Sequence, residues 1–351
     1  MFDVCYKATY YKDSFSRSVK VNNRKENFAM AFRVLLPQAI LPEGYEYLRS
    51  HGFEVVDGRG CTEDDIIADI ADCDAMIVRT VKITAKIIDA APKLKIIARH
   101  GAGYDGVDLE AARRHGVIVC TAGGANSISV AEIAIFYMLY CAKAFKKVQN
   151  TYITDYKKAK SNIPRTELDG KTLGLIGVGN IGKHVAQMAA LGFNMKVLAF
   201  DPYARGEMPE YIKLVTDRDT IFKESDYVSL HTPATKDTIH SVGKHEFEIM
   251  KKTAYLINTS RGAVVDEPAL IEALRAGEIA GAGLDVLEQE PFDPANPLLA
   301  MDNVVTAPHI GGTTKEASTR SSVACATAID DFFAGRTPQF VVPELRDLLS
   351  K

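Results

Sequence analysis

Thr172-Leu-Gly-Leu-Ile-Gly-Val-Gly-Asn-Ile-Gly-Lys183, followed by Val197-Leu-Ala-Phe-Asp201, decides the fold. Leu173, Leu175 and Ile176 form a short apolar run that ends in Gly177, Gly179 and Gly182. Ile181, Val185, Met188, Ala189 and Leu191 then recur at helical spacing, so the stretch reads strand, tight turn, helix. Gly177 permits the turn, Gly179 lets the backbone approach a pyrophosphate, and Gly182 lets helix and strand pack closely. The leading N–H groups of the helix, with the positive end of its dipole, face the phosphates. A glycine pattern alone also describes a plain structural turn. Here an acidic residue, Asp201, closes the next strand 19 residues after Gly182, which is the context a dinucleotide site requires. Asp201 suits ribose hydroxyls and repels a 2′-phosphate, so NAD is expected rather than NADP. Arg205 is close by and reads as a solvated loop residue.

At 351 residues the chain is long enough for two domains, each with its own core. An apolar share of 47% and a charged share of 25% match an ordinary soluble globular protein. The net charge of −3 argues against a general nucleic-acid binder. No apolar run approaches the ~18–20 residues of a membrane span, so no membrane partner is expected. The start, Met1-Phe-Asp-Val-Cys-Tyr-Lys7, lacks the basic and apolar blocks of a secretory signal. Cys5, Cys61, Cys73, Cys120, Cys141 and Cys325 are scattered without metal-ligand spacing, so no metal is expected. A reducing cytoplasm fits this pattern.

Residues 1–30 have neither helical nor strand periodicity and carry six basic against three acidic residues. They read as a disordered extension, with a partner-packing arm or a stretch upstream of a start at Met30 as alternatives. From Phe32, apolar runs at Phe32–Leu36, Phe53–Val56, Ala75–Val78, Leu94–Ala98 and Val117–Cys120 alternate with amphipathic stretches such as Glu63–Ala71 and Leu109–His115. That alternation implies a parallel sheet covered on both faces. A glycine-rich stretch, Thr121–Asn126, leads into a helix expected from Val130 to about Lys147, capped by Ser127 or Ser129. Its apolar residues lie on most sides, which calls for burial in a core and a subunit interface. Lys146–Lys160 is polar and is expected to loop over the surface. After Asp201, strands are expected at Tyr227–His231, Ala254–Asn258, Gly281–Val286 and Val304–Ala307, and helices at Glu267–Ala276 and Lys315–Phe333. The expected architecture is α/β: two Rossmann/flavodoxin-like doubly wound domains with a cleft between them. Residues 126–310 form the NAD-binding domain, and 31–125 with 311–351 the substrate domain.

Arg261, Glu290 and His309 each follow an apolar strand of the second half, and ligands bind outside the carboxyl ends of such strands. Reducing a 2-oxo acid needs a cation for the carboxylate, a proton donor for the forming alkoxide, and a group that tunes the donor. Arginine is a two-pronged carboxylate clamp. Histidine exchanges protons near neutral pH. A carboxylate bonded to the imidazole fixes its tautomer and favours its protonated form. Each residue alone has a plain structural reading; together and in this order they point to a dehydrogenase. His231 is a rival base that reads better as part of the cofactor pocket, and His100 and His240 read as structural.

Arg79, Arg99-His-Gly-Ala-Gly-Tyr-Asp105, Asn126-Ser-Ile-Ser-Val-Ala-Glu132, Gly177-Val-Gly-Asn-Ile-Gly182, Ser229-Leu-His-Thr-Pro233, Asn258-Thr-Ser-Arg-Gly262, Leu284-Asp-Val286 and Ala307-Pro-His-Ile-Gly-Gly312 resemble the D-isomer-specific 2-hydroxyacid dehydrogenases. The resemblance runs from about Phe32 to Val342. It implies that Arg261 holds the substrate carboxylate and carbonyl, His309 is the acid/base, and Glu290 orients it. It places Gly177, Gly179, Asn180, Ile181 and Gly182 at the pyrophosphate, Asp201 at the adenine ribose, and His231, Thr232 and Pro233 along the cofactor. Thr259, Arg261, Asp285 and His309 would lie near the nicotinamide. The Gly101-Ala102-Gly103 loop would offer its N–H groups to the substrate carboxylate, and a homodimer is implied.

Within that family the chain looks most like 3-phosphoglycerate dehydrogenases without a regulatory domain. There Arg79 and Arg99 would face a substrate phosphate and Lys143 would reach in from the other subunit. The chain departs from that pattern: the stretch between Arg79 and Thr84 is one residue short, His100 and Ala102 replace small and hydroxyl residues, and Lys143 stands where arginine is common. Hydroxypyruvate or glyoxylate reduction is the alternative. An NAD-sensing binding protein and a formate-type donor are more distant ones.

Overall fold

The computed structural model describes residues 31–350, so the reading of 1–30 lies outside the described residues. Two compact units emerge. One takes the described residues up to Asn126 together with those from Lys315 onward; the other is Ser127–Thr314.

The first unit runs β1 (Arg33–Leu36), α1 (Pro42–Ser50), β2 (Glu54–Asp57), α2 (Glu63–Ile70), β3 (Ala75–Val78), α3 (Ala85–Asp89), β4 (Ile96–Arg99), α4 (Leu109–His115) and β5 (Ile118–Thr121). All its strand pairs are parallel, in the order β2-β1-β3-β4-β5. Strands without polar alternation are buried on both faces. Val34, Ile77, Ile96 and Ile118 pack to one side with α1, and Leu35, Met76, Ile97 and Val119 to the other with α2 to α4. Thr62 starts α2 with a reciprocal capping box to Asp65, and left-handed Gly116 ends α4.

The second unit opens with α5 (Ser127–Ala142), α6 (Phe145–Tyr152) and α7 (Tyr156–Ser161). It continues through β6 (Thr172–Ile176), α8 (Asn180–Gln187), β7 (Lys196–Phe200), β8 (Ile212–Leu214), α9 (Arg218–Glu224), β9 (Tyr227–Leu230), α10 (Lys244–Ile249), β10 (Tyr255–Asn258), α11 (Glu267–Ala276), β11 (Gly281–Leu284), α12 (Pro297–Ala300) and β12 (Val304–Thr306). Its strands are parallel in the order β12-β11-β10-β9-β6-β7-β8. Leu173, Leu175 and Val197 meet α5 and α8 on one face, while Leu230, Leu256 and Leu284 meet Phe222, Phe247 and Leu270 on the other. The chain returns to the first unit through α13 (Lys315–Phe333), and Val341 then bridges Cys120 antiparallel at the edge of that sheet. Both units are doubly wound α/β sheets, whose strand order reverses between β1 and β3 in the first and between β6 and β9 in the second.

Two expectations need correction. The helix expected to reach about Lys147 stops at Ala142, because Ala144 adopts a left-handed conformation at φ 47°. Lys146–Lys160 is not a surface loop but carries α6 and α7. Asp155 caps α7 by accepting from the Lys158 N–H at 2.9 Å, and Lys146 Nζ anchors α6 by donating to the carbonyls of Leu299, Met301 and Val304. The core takes ten residues of α5, Tyr137 and Met138 among them, and Phe136 keeps 50% of its surface exposed. Among the described residues no single helix is long and apolar enough to cross a membrane.

Candidate active site

The turn after β6 gives each glycine a separate task. Gly177 has φ +92°, and a Cβ on it would sit 2.8 Å from the His231 carbonyl. A Cβ on Gly182 would lie 2.4 Å from the Gly177 carbonyl, so the start of α8 can rest on the turn only without a side chain. Gly179 is different: a Cβ there meets nothing within 4 Å. No side chain caps the start of α8, so its leading N–H groups, at Asn180 and Ile181, point past the open side of Gly179. Asp201 is fixed beside the turn, accepting from the N–H of Val178 at 2.9 Å and of Tyr203 at 2.8 Å.

The neighbouring strand ends carry buried polar atoms without partners: His231 Nδ1, Thr232 Oγ1 and Thr259 Oγ1. Leaving such an atom unpaired costs about 1–3 kcal/mol, so three near one sheet edge mark a place shaped for a ligand. His231 Nε2 pairs with Ser229 Oγ at 2.9 Å, and burial pushes its pKa down to about 4, so the ring is neutral at pH 7. Uncapped helical N–H groups, room above Gly179, an oriented carboxylate and unpaired hydroxyls fit a dinucleotide: diphosphate at the helix start, ribose at Asp201. Pro233 is exposed after this pair.

The same sheet edge holds the proposed chemistry. Asn258 shapes the turn after β10: its Oδ1 accepts from the N–H and hydroxyl of Ser260, and its Nδ2 donates to the Arg261 carbonyl at 2.9 Å. Arg261 in turn donates to the Ser260 carbonyl. Gly262 lets this turn approach the segment after β11, since a Cβ on it would lie 1.9 Å from the Leu287 carbonyl. Glu290 Oε2 accepts from His309 Nδ1 at 3.0 Å, and both side chains are about half exposed (43% and 46%). With Nδ1 engaged, Nε2 is the ring nitrogen that can face a substrate. His309 has φ +54°, and its N–H donates to the Asp285 carbonyl at 2.7 Å. Asp285, 1% exposed, accepts from the N–H of Ile310 at 3.0 Å and of Gly311 at 2.8 Å.

In the first unit, Arg79 follows β3 and Arg99 ends β4. Both line a cavity of about 80 Å³ with Thr80, Gly103, Tyr104 and Asp105. Arg79 donates to the Ala39 carbonyl at 3.0 Å and Arg99 to the His100 carbonyl. Gly101, at φ +139°, is the residue that leaves room for the Arg99 guanidinium, and Ala102 is exposed beside it. His100 is buried against Ser322 Oγ at 2.9 Å; burial and the Arg79 charge push its pKa down to about 4. His240 pairs with Glu288 at 2.6 Å. Sequence reasoning passed over Asn258 as a turn builder, although an Asn two residues before Ser260 is the side-chain pattern that bonds its own following backbone.

The family described as D-isomer specific 2-hydroxyacid dehydrogenase, NAD binding domain, matches residues 135–311. D-3-phosphoglycerate dehydrogenase of Archaeoglobus fulgidus is 42% identical over 288 residues, which cover 81% of this chain and 54% of that protein. The chain thus spans about half the length of that relative. Hydroxypyruvate reductase of Thermotoga maritima is 43% identical over 264 residues, covering 74% of this chain and 85% of that protein. Among solved structures, the TT0316 protein from Thermus thermophilus superimposes with a TM-score of 0.80 at 34% identity, over 89% of this chain and 100% of that one. With likeness of this extent in both sequence and backbone, the chain belongs to the D-isomer-specific 2-hydroxyacid dehydrogenases.

Proposed function

We propose that this protein is an NAD-dependent D-2-hydroxyacid dehydrogenase, whose pair is 3-phosphoglycerate and 3-phosphohydroxypyruvate. The observation that carries the activity is the Glu290–His309 pair standing at the strand ends of a dinucleotide-binding sheet. NADH, when bound, supplies the hydride. Arg261 holds the carboxylate and carbonyl of the oxo acid, which sets the carbonyl carbon in one orientation. His309 gives its Nε2 proton to the carbonyl oxygen as negative charge grows there. Glu290, on Nδ1, stabilises the imidazolium before transfer and holds the ring in place afterwards. Proton transfer of this kind contributes a factor of ~10²–10⁴.

The phosphorylated substrate rests on the two cations, Arg79 and Arg99, that line one small cavity, and on relatives named for that activity. Reduction of hydroxypyruvate or glyoxylate is the second reading. In its favour, both arginines already donate to backbone carbonyls of their own unit, and a relative at 43% identity is named hydroxypyruvate reductase. The deciding experiment follows NADH oxidation with 3-phosphohydroxypyruvate, hydroxypyruvate and glyoxylate in parallel. A hundredfold preference in kcat/KM for the phosphorylated acid, about 2.7 kcal/mol, supports the first reading. A flat or reversed profile supports the second. NADH binding without turnover of any of the three would point to an NAD-sensing role.

We infer a cytoplasmic homodimer on separate grounds. The thiols of Cys73, Cys120, Cys141 and Cys325 are free, which suits a reducing compartment. Phe136, Phe145, Tyr152, Ile153 and Tyr156, all on α5 to α7 or the link between them, are at least half exposed, an apolar patch that a second copy would cover. A monomeric mass by light scattering at micromolar concentration would refute the dimer.

A further inference from the structure

We propose that Tyr137 is a positioning residue for His309, acting through the carboxylate of Asp285. The inference rests on His309 being the acid/base.

Ser129, Ile133 and Tyr137 recur every fourth residue and so share one face of α5. All three meet the turn that carries His309 or the carboxylate beneath it. Ser129 Oγ donates to the Gly311 carbonyl at 2.5 Å. A Cβ on Gly311 would lie 2.9 Å from Ile133 Cγ2 and 2.8 Å from Asp285 Oδ2, so the turn sits directly on helix and carboxylate. The Tyr137 hydroxyl donates to Asp285 Oδ1 at 3.3 Å, the same oxygen that accepts the Ile310 N–H. Gly283 makes the approach possible, since a Cβ there would lie 2.6 Å from Tyr137 Cβ.

This arrangement has a purpose beyond packing. His309 stands in a left-handed conformation that a non-glycine residue adopts only when its surroundings hold it there. The restraint comes from Asp285, whose carboxylate takes the two N–H groups following His309. A buried carboxylate needs all its donors to stay in place. Tyr137 is 1% exposed, and burial together with the Asp285 charge raises its pKa, so the phenol remains a donor throughout the working range. The other titratable group facing it, Cys141, is pushed up to about 12 by burial and stays neutral.

Tyr137→Phe removes the hydroxyl and keeps the ring. The expected result is a kcat about tenfold lower, since small misplacement of a catalytic group is costly, with KM and NADH affinity within twofold of the parent. The same substitution made on top of His309→Asn should leave the residual rate unchanged, because a residue that acts through His309 has nothing left to act on. An equal drop in both backgrounds would make Tyr137 merely structural and overturn the proposal. So would an unchanged kcat in Tyr137→Phe while His309→Asn is inactive. Full activity of His309→Asn itself would instead overturn the acid/base reading. If Tyr137→Phe does not fold, Ser129→Ala, which loosens the same turn through Gly311, takes its place with the same expected pattern.

Discussion

The two sheets wind in the same way and treat the turn after their first strand in opposite ways. After β1, Gln38 closes the place where the strand order reverses. Its Nε2 donates to Thr80 Oγ1 at 2.8 Å, and its Oε1 accepts the N–H of Thr80 at 2.8 Å and of Val81 at 3.3 Å. The start of α1 has Pro42 and a Leu41 N–H given to Ser322 Oγ at 3.0 Å. Neither α1 nor α8 has a side-chain cap, but after β6 the turn is left open, with space above Gly179 and partnerless buried atoms on His231 and Thr232 at the adjoining strand end. A shared topology therefore supplies two crevices, and the side chains at each turn decide which is kept for a ligand. The first sheet offers cations at its strand ends, Arg79 and Arg99, in place of an open helix start.

The largest effect expected from this difference concerns chemistry at the open crevice. His309→Ala should lower kcat by about a thousandfold, within the range for lost general acid catalysis, while NADH affinity measured by fluorescence titration stays within threefold. Retained turnover would separate the open crevice from the reaction. Oxidation of formate that survives the substitution would point to a donor whose product takes no proton.

Gly179→Ala tests the opening itself. The residue has φ −69° and a clear space where a Cβ would go, so alanine should leave the melting temperature within about 3 °C. Yet the methyl group enters the room assigned to the diphosphate, and NADH should bind at least about tenfold more weakly, some 1.4 kcal/mol. Unchanged affinity with unchanged stability would place the dinucleotide elsewhere.

How much of this is legible in the sequence follows the same division. The β6 turn is readable because Gly177 and Gly182 serve steric needs that only glycine meets, and because an acidic residue follows the end of β7 at the spacing a dinucleotide site requires. Lys315–Phe333 is readable to the residue, being a long helix with a steady apolar side. The α6–α7 region misleads because its stability comes from distant groups: Lys146 reaching three carbonyls beyond α11 has no trace in local periodicity. Short β8 escapes notice for the same reason, as Ile212-Lys-Leu214 is a strand only by pairing with β7. The brace from Tyr137 to Asp285 spans 148 positions and is invisible to any motif. The motif around Asp285 points to the nicotinamide, and no motif foretells that its oxygens also accept from Ile310, Gly311 and Tyr137.

The smallest effect belongs to the closed turn. Gln38→Ala removes three hydrogen bonds, but they lie near the surface, where water replaces most of what is lost. The expected cost is about 1 kcal/mol, seen as a fall of roughly 2–4 °C in the melting temperature of the first unit. NADH affinity should not move, because none of the groups fitted to the dinucleotide belongs to that turn. A measurable change in NADH affinity would mean that the first sheet's turn takes part in the cofactor site, and the contrast between a closed and an open crevice would fail. A loss of several kcal/mol would show instead that Gln38 holds the β1–β3 junction together far more strongly than its exposed bonds imply.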